Sequence, residues 1–325
     1  VTTPQLSWTA DPTAEQVADV QDLLRAASRA DGVDAVGEQV VRSLHHSALH
    51  HSALHHSALH HSAPNHSAPD HSAAAAPHLL ATVDGRVRGY AHREPAVADG
   101  PAFVELAVHP EHRRAGTGSA LLEEALTGTA RVWAHGDGAP ARALAARAGL
   151  VSVRELWQMR VDLTAVELPG LPQREDVVLR TYAGADDDEA VLAVNNAAFS
   201  WHPEQGGWSR QDIADRRTEP WFDAAGFFLA EDAAEDALLG FHWTKVHPSE
   251  GGEPPLGEVY VVGIAPAAQG RGIGRLLTLA GLLHLRDAGL ATVLLYVEGD
   301  NAAAVHTYER LGFARFHVDR AWARS

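Results

Sequence analysis

What most constrains this 325-residue chain is that it carries one local organisation twice. Near its C-terminal end, Glu258 to Ile264 is a β-branched run suited to a buried strand. Gln269-Gly270-Arg271-Gly272-Ile273-Gly274 follows, and then a helical spacing of Leu276, Leu277, Leu279, Ala280 and Leu283. A glycine-rich turn that opens a helix leaves backbone N–H groups unpaired at the helix's positive end, which favours phosphate. A strand from Thr292 to Val297 comes next, and then a helix opened by Asp300 or Asn301 and closed by Gly312. The earlier copy runs in the same order. Strand Phe103 to Val108 leads into Arg113-x-x-Gly116-x-Gly118, helix Ser119 to Leu126, strand Arg131 to Ala134 and helix Ala141 to Ala148, ending at Gly149-Leu150. Strands and helices alternating around two such turns predict an α/β chain of two like domains.

The copies differ where chemistry would be done. Setting Gly149-Leu150 on Gly312-Phe313 places Ala145 opposite Tyr308 and Gly138 opposite Asn301. The first copy keeps an anion-binding turn and lacks the phenol, so residues 1–162 are expected to bind or to support rather than to catalyse. Residues 163–176, LTAVELPGLPQRED, are rich in Pro and Gly and read as a linker, with the catalytic domain at 177–325. In the first domain, Leu6 to Trp8 reads as a strand. Thr13 to Ala30 reads as a helix with Val17, Val20, Leu23 and Leu24 inward, and Leu79 to Val83 with Val87 to His92 as a hairpin around Asp84-Gly85. Gly37 to Val41 reads as a short helix with Glu38 in its first turn. From 44 to 76 a pentapeptide HHSAL repeat decays into NHSAP and DHSAA. Its period fits neither helix nor strand and it has no apolar face, which predicts a disordered insertion without a designed metal site.

In the second domain, strand Val177 to Tyr182 and a helix from about Asp186 precede the aromatic, glycine-containing loop Phe199 to Trp208, a helix to about Thr218, and strands Phe227 to Glu231 and Leu238 to His247. A hydrophobic content of 46% suffices for a core in each domain. No run of about 18 apolar residues could span a membrane, and VTTPQLSWTADPTAEQ lacks the basic start and apolar core of a signal peptide. A cytoplasmic monomer is the expectation. The absence of cysteine excludes an enzyme thioester, so acyl transfer would be direct. A formal net charge of −16 argues against nucleic-acid binding. Among 26 basic residues only Lys245 is a lysine, and it lies on the strand before Glu258.

Gln269-x-x-Gly272-x-Gly274 after a strand, with Asn301-x-x-Ala304-x-x-x-Tyr308-x-x-x-Gly312-Phe313 downstream, resembles the acetyl-CoA-binding core of the GNAT N-acetyltransferases. The resemblance implies two tandem GNAT folds, each a mixed, mostly antiparallel sheet flanked by helices. With HPEQGGW, GFHWTK, GEVYVVGI, LLYVEGDN and GEQV, nearly the whole chain outside the repeat resembles the mycothiol synthase family of actinobacteria. That family acetylates the cysteinyl amine of a cysteinyl-glucosaminyl-inositol. The resemblance implies that Glu38, Glu204, Lys245, Glu258 and Tyr296 contact this small-molecule substrate. It implies acetyl-CoA against Val262, Gly263, Ile264, Gln269, Gly270, Arg271, Gly272, Ile273, Gly274 and Arg275, and against Asn301, Ala302, Ala303, Ala304, Val305 and His306. A second CoA would meet Leu106, Ala107, Val108, Arg114, Ala115, Gly116, Thr117, Gly118 and Ser119 of the first domain. No metal, nucleic acid or membrane is implied.

The residues suggest the chemistry on their own terms. An amine attacks a thioester only when neutral, and a cysteine amide's α-amine titrates at or below about 7.7–8.0, so a modest base suffices. Glu258 at the start of its strand is the candidate base, directly or through water, with a solvated strand-end carboxylate as its structural reading. A backbone N–H near Gly263 and Ile264 would meet the oxyanion. Tyr308 is the candidate acid for the leaving thiolate, with an ordinary core tyrosine as its structural reading. Gly272 and Gly274 let a pyrophosphate approach, and Arg271 and Arg275 add positive charge. A GNAT acting on another amine, and a non-catalytic acyl-CoA sensor, fit the same motifs.

Overall fold

The computed structural model describes residues 3–37, 40–41, 43–44, 77–94, 96, 100–200, 207–249, 252 and 254–325. Glu38, Glu204 and the repeat from 45 to 76 lie outside the described residues. The chain divides into two compact units, residues 1–155 with 318–325, and residues 156–317.

In the first unit, β1 (Gln5–Thr9), α1 (Ala14–Asp31), β2 (His78–Val83), β3 (Arg86–Glu94), β4 (Phe103–Val108), α2 (Thr117–Ala125), β5 (Arg131–Ala134) and α3 (Ala139–Arg147) follow in order. The sheet order is β1-β2-β3-β4-β5, and the last strand of the chain, β12 (Ala314–Arg324), pairs with β5 through Arg320 to Trp322. All pairs are antiparallel except β4 with β5. Alternation along β2 sends Leu79 and Ala81 to the core under α2 and Leu80 to the core under α1. Thr13 caps α1 in a reciprocal capping box with Gln16, and Gly32 at φ 71° ends it. Asp84 (φ 49°) and Gly85 (φ 78°) make the expected tight turn. Leu44, expected to open the repeat, is instead fully buried in the α1 core, so its apolar side chain belongs to the fold.

The second unit contains β7 (Val177–Thr181), α4 (Asp188–Ala198), α5 (Arg210–Arg217), β8 (Phe227–Asp232), β9 (Leu238–His247), β10 (Leu256–Ile264), α6 (Ile273–Asp287), β11 (Thr292–Glu298) and α7 (Ala302–Glu309). Its sheet runs β7-β8-β9-β10-β11 and continues to β6 (Leu150–Asp162), whose residues 156–162 pair antiparallel with β11. Here too a single pair, β10 with β11, is parallel. Helices α6 and α7 cover one face, with Leu279, Leu282, Leu285, Val305 and Tyr308 against Val259, Val293 and Leu295. Helices α4 and α5 cover the other through Val191, Val194 and Ile213 on Phe227, Trp243 and Val261.

The boundary expected at residue 162 falls instead between Glu155 and Leu156, and the C-terminal residues return to the first unit. The pattern of β6 explains the first shift: Trp157, Met159 and Val161 alternate onto the core under α6 and α7. Residues 163–176, read from the sequence as a linker, contain no helix or strand and fall inside the second unit, with Leu163 and Leu168 buried in that same core.

Candidate active site

The second unit's sheet opens beside its phosphate-type turn. Strands β10 and β11 pair only over Gly257–Val259 and Val293–Leu295, although they continue to Ile264 and Glu298. Within β10 the register with β9 shifts between Val259 and Val261, so Tyr260 is the extra residue of a bulge. Beyond it, the Ala265 N–H donates to Leu239 O at 2.9 Å. Alternation therefore turns the Ile264 N–H to the opposite edge, into the opening. Gly263 itself lies against the Phe241 ring, where a Cβ would sit 2.5 Å from Cε1.

After Ile264 a short 3-10 turn, Pro266–Ala268, leads to Gly270 and Gly272, both at φ 78°. Gly272 is the N-cap of α6 and no side chain bonds the helix's first N–H groups. A Cβ at Gly270 would meet nothing within 4 Å, and one at Gly274 nothing nearer than Ile264 at 3.7 Å. The protein leaves the space outside this backbone open, as a pyrophosphate site requires. The side chain of Arg271 departs from expectation. Its guanidinium reaches Asp232 at 3.2 Å and Asp176 at 3.4 Å, while Arg174 donates to the Arg271 carbonyl at 2.7 Å. Carboxylates distant in sequence pair with its charge, while Arg275 is exposed. On α7, Asn301 caps the helix by accepting from the Ala304 N–H at 3.2 Å, with Ala302, Ala303 and His306 exposed and Ala304 and Val305 on the core.

Glu258 is buried, 8% exposed, rather than a solvated strand-end carboxylate. A Cβ at Gly257 would meet Leu285 and Val293, and Val259 packs with them, so Glu258 points to the other face, that of α4 and α5. Lys245 stands directly opposite it on β9, its ammonium 5.2 Å from the Trp221 ring centre and 5.5 Å from that of Tyr260. Tyr296 shares this face, 47% exposed, its hydroxyl accepting from Gln158 Nε2 at 2.8 Å. The structure therefore gathers Lys245, Glu258 and Tyr296 on one face of the sheet. Tyr308 lies on the other face, in the second turn of α7, edge-on to Phe313. Burial pushes its phenol up to about 12, so it is a protonated donor throughout the neutral range.

Sequence reasoning missed the groups around Glu258. His247 Nε2 lies 2.6 Å from Glu258 Oε2. Arg216 Nε donates to Tyr260 Oη at 3.0 Å and its guanidinium stacks over Trp208. The signal for His247 was present: it is two residues beyond Lys245 on one strand, hence on one face.

The first unit repeats the geometry with other side chains. Its parallel ladder covers only Phe103–Glu105 with Arg131–Trp133, and Gly116 at φ 92° caps α2 without a side-chain bond. Leu106, Ala107, Val108, Arg114, Gly116, Gly118 and Ser119 line a cleft of about 700 Å³. Arg113 also lines it, bonded to the Val108 carbonyl and to both oxygens of Asp31. Ala145, opposite Tyr308 in the superposition, lines the same cleft, and Gly138 begins α3 without a side-chain cap. At the end of β5, His135 lies 2.9 Å from Glu105 and 3.3 Å from Asp319. Burial alone would lower its basicity, but hydrogen bonds to Asp319 and Glu105 overturn this and hold the imidazolium up to about 10. Among the described residues no group of three or more His, Cys, Asp or Glu could hold a metal ion, and no helix is long and apolar enough to cross a membrane.

The acetyltransferase (GNAT) family model matches residues 41–150 and again residues 195–313. The chain belongs to the GNAT family. Two matches in one chain agree with two units built around splayed parallel pairs, and membership makes the protein an acetyl-CoA-dependent acyltransferase. Among its relatives is a mycothiol acetyltransferase of Nocardia farcinica, 55% identical over 97% of this chain and 96% of that protein. Another, of Rhodococcus jostii, is 50% identical over 98% of each. A tandem GNAT protein from the clavulanic acid biosynthesis pathway shares the fold at TM-score 0.63 and 21% identity, over 98% of both chains.

Proposed function

We propose that this GNAT transfers the acetyl group of acetyl-CoA directly to the cysteinyl amine of cysteinyl-glucosaminyl-inositol, giving mycothiol. The observation that carries the reading is the 55% identity, over nearly the full length, with a protein named mycothiol acetyltransferase. Glu258 is the general base: it accepts the amine proton as nitrogen bonds to the acyl carbon. The Ile264 N–H meets the oxyanion in the opening between β10 and β11. Tyr308 donates its proton to the departing thiolate from the α7 face, so acid and base approach from opposite sides of the opening. Lys245 and Tyr296, with Glu38 and Glu204, hold the sugar and inositol hydroxyls.

The turn from Gln269 to Arg275, Val262 to Ile264 and Asn301 to His306 hold the CoA moiety. The cleft of the first unit holds a second CoA without turning it over, since Ala145 supplies no acid. Cytoplasmic location and a monomeric state complete the proposal.

Mass spectrometry of the purified protein with acetyl-CoA and cysteinyl-glucosaminyl-inositol is the direct test, with N-acetylated product expected and its absence fatal to the reading. Lys245→Ala and Glu204→Ala should lose activity on this acceptor while acetyl-CoA affinity persists; activity unchanged in both would shift the acceptor to another amine. For the base, a pH–rate profile of Glu258→Gln equal to wild type in level and shape would remove Glu258 from the mechanism.

A further inference from the structure

We infer that His247 is a positioning residue for the acyl transfer, acting through Glu258. The inference rests on the proposed role of Glu258 as base. Glu258 is buried, while the His247 side chain is 38% exposed and Nε2 approaches Oε2 to 2.6 Å. Two bare lone pairs would repel at that distance, so a proton lies between the two atoms. With Glu258 ionised, the Nε2–H of His247 donates to Oε2.

This contact has two consequences. It fixes the carboxylate's rotation, because Oε2 is tied to β9 and the second oxygen, Oε1, becomes the free basic atom. It also replaces a water that burial has removed from the ionised form. In the reaction the amine N–H bond breaks and an Oε1–H bond forms, while His247 keeps its own proton throughout.

The position of the pair follows from register. His247 stands opposite Leu256 and Lys245 opposite Glu258, so His247 reaches Glu258 on the diagonal of the antiparallel pair, a distance suited to an imidazole. Other polar groups on this face have partners of their own. The Lys245 ammonium rests over Trp221 and Tyr260, and the Tyr260 hydroxyl accepts from Arg216. Glu258 thus has one described side-chain hydrogen bond, and His247 makes it.

His247→Leu removes the donor and keeps the bulk; His247→Gln can return an N–H at similar reach. Expected for His247→Leu is a fall of about tenfold or more in kcat with KM for acetyl-CoA unchanged, as for an interaction that orients a base without binding the donor. His247→Gln should recover most of that loss. Calorimetric acetyl-CoA affinity of both variants, equal to wild type, separates this effect from unfolding. Wild-type kcat in His247→Leu, or an equal loss in His247→Gln, overturns the inference. Glu258→Gln distinguishes the two levels: if it retains activity the base assignment fails, whereas if it is inactive and His247→Leu is active, only the positioning role fails.

Discussion

At the scale of single residues, glycines mark where backbone, ligand or a packed ring must come close. Gly272 combines φ 78° with a missing Cβ whose nearest neighbour would be Arg174 Nη1 at 3.8 Å, and Gly272→Glu would set both a strained backbone and a negative charge on the pyrophosphate path. Calorimetry should show acetyl-CoA affinity lost at the second unit, and unchanged affinity would refute the turn as the phosphate site. Gly281 is a glycine for another reason: inside α6, a Cβ there would sit 2.0 Å from His242 Cε1. His242 is fully buried and bonds the Leu277 carbonyl through Nδ1 at 2.8 Å, so it has little room to yield. Gly281→Ala should cost about 1–3 kcal/mol of stability despite its better helix propensity, read as a lowered Tm. Gly272 was legible because its spacing belongs to a motif. Gly281 was not, since nothing local to α6 reveals a histidine on β9. The same holds for Arg271, whose carboxylate partners lie up to 95 residues away in sequence.

At the scale of elements, the strands and helices inside each copy were readable from periodicity and caps and the turn geometry followed from the glycines, whereas β6 and β12, which follow the copies, were not assigned. The bulge at Tyr260 was not readable either. A backbone N–H near Gly263 and Ile264 was expected to face a ligand, but the extra residue in the strand before it emerges only from pairing with β9. The contact of His135 with Glu105 and Asp319 likewise joins β5, β4 and β12, three elements that no local pattern connects. Its consequence is measurable. A histidine raised from 6.5 to about 10 on folding contributes stability that is fully present below the unfolded value and is lost as pH rises through the folded one. Thermal stability should therefore decline between pH 6.5 and about 10, and His135→Gln should flatten that part of the profile. A wild-type slope retained in the variant would show that His135 is not the group responsible.

At the scale of the whole molecule, the sequence repeat and the folded units do not coincide. Each copy is followed in the chain by a strand that pairs with the other copy's sheet: β6 with β11 of the second, and β12 with β5 of the first. Neither strand was assigned from the sequence, and alternation in any case carries no information about partners, because it fits any sheet with an apolar face. The exchange also bears on how the first unit is completed. Ala321 is fully buried and Trp322 packs on the core under α2, so the first unit is incomplete without the last residues of the chain. A fragment ending at residue 162 should leave β5 as an exposed edge and lack a cooperative melting transition. A fragment of residues 1–155 joined by a flexible linker to 318–325 should recover that transition and bind CoA in the cleft lined by Gly116 and Gly118. Circular dichroism melts of the two fragments decide between these outcomes, and a cooperative transition in the first fragment alone would show that β12 is dispensable to the fold it completes.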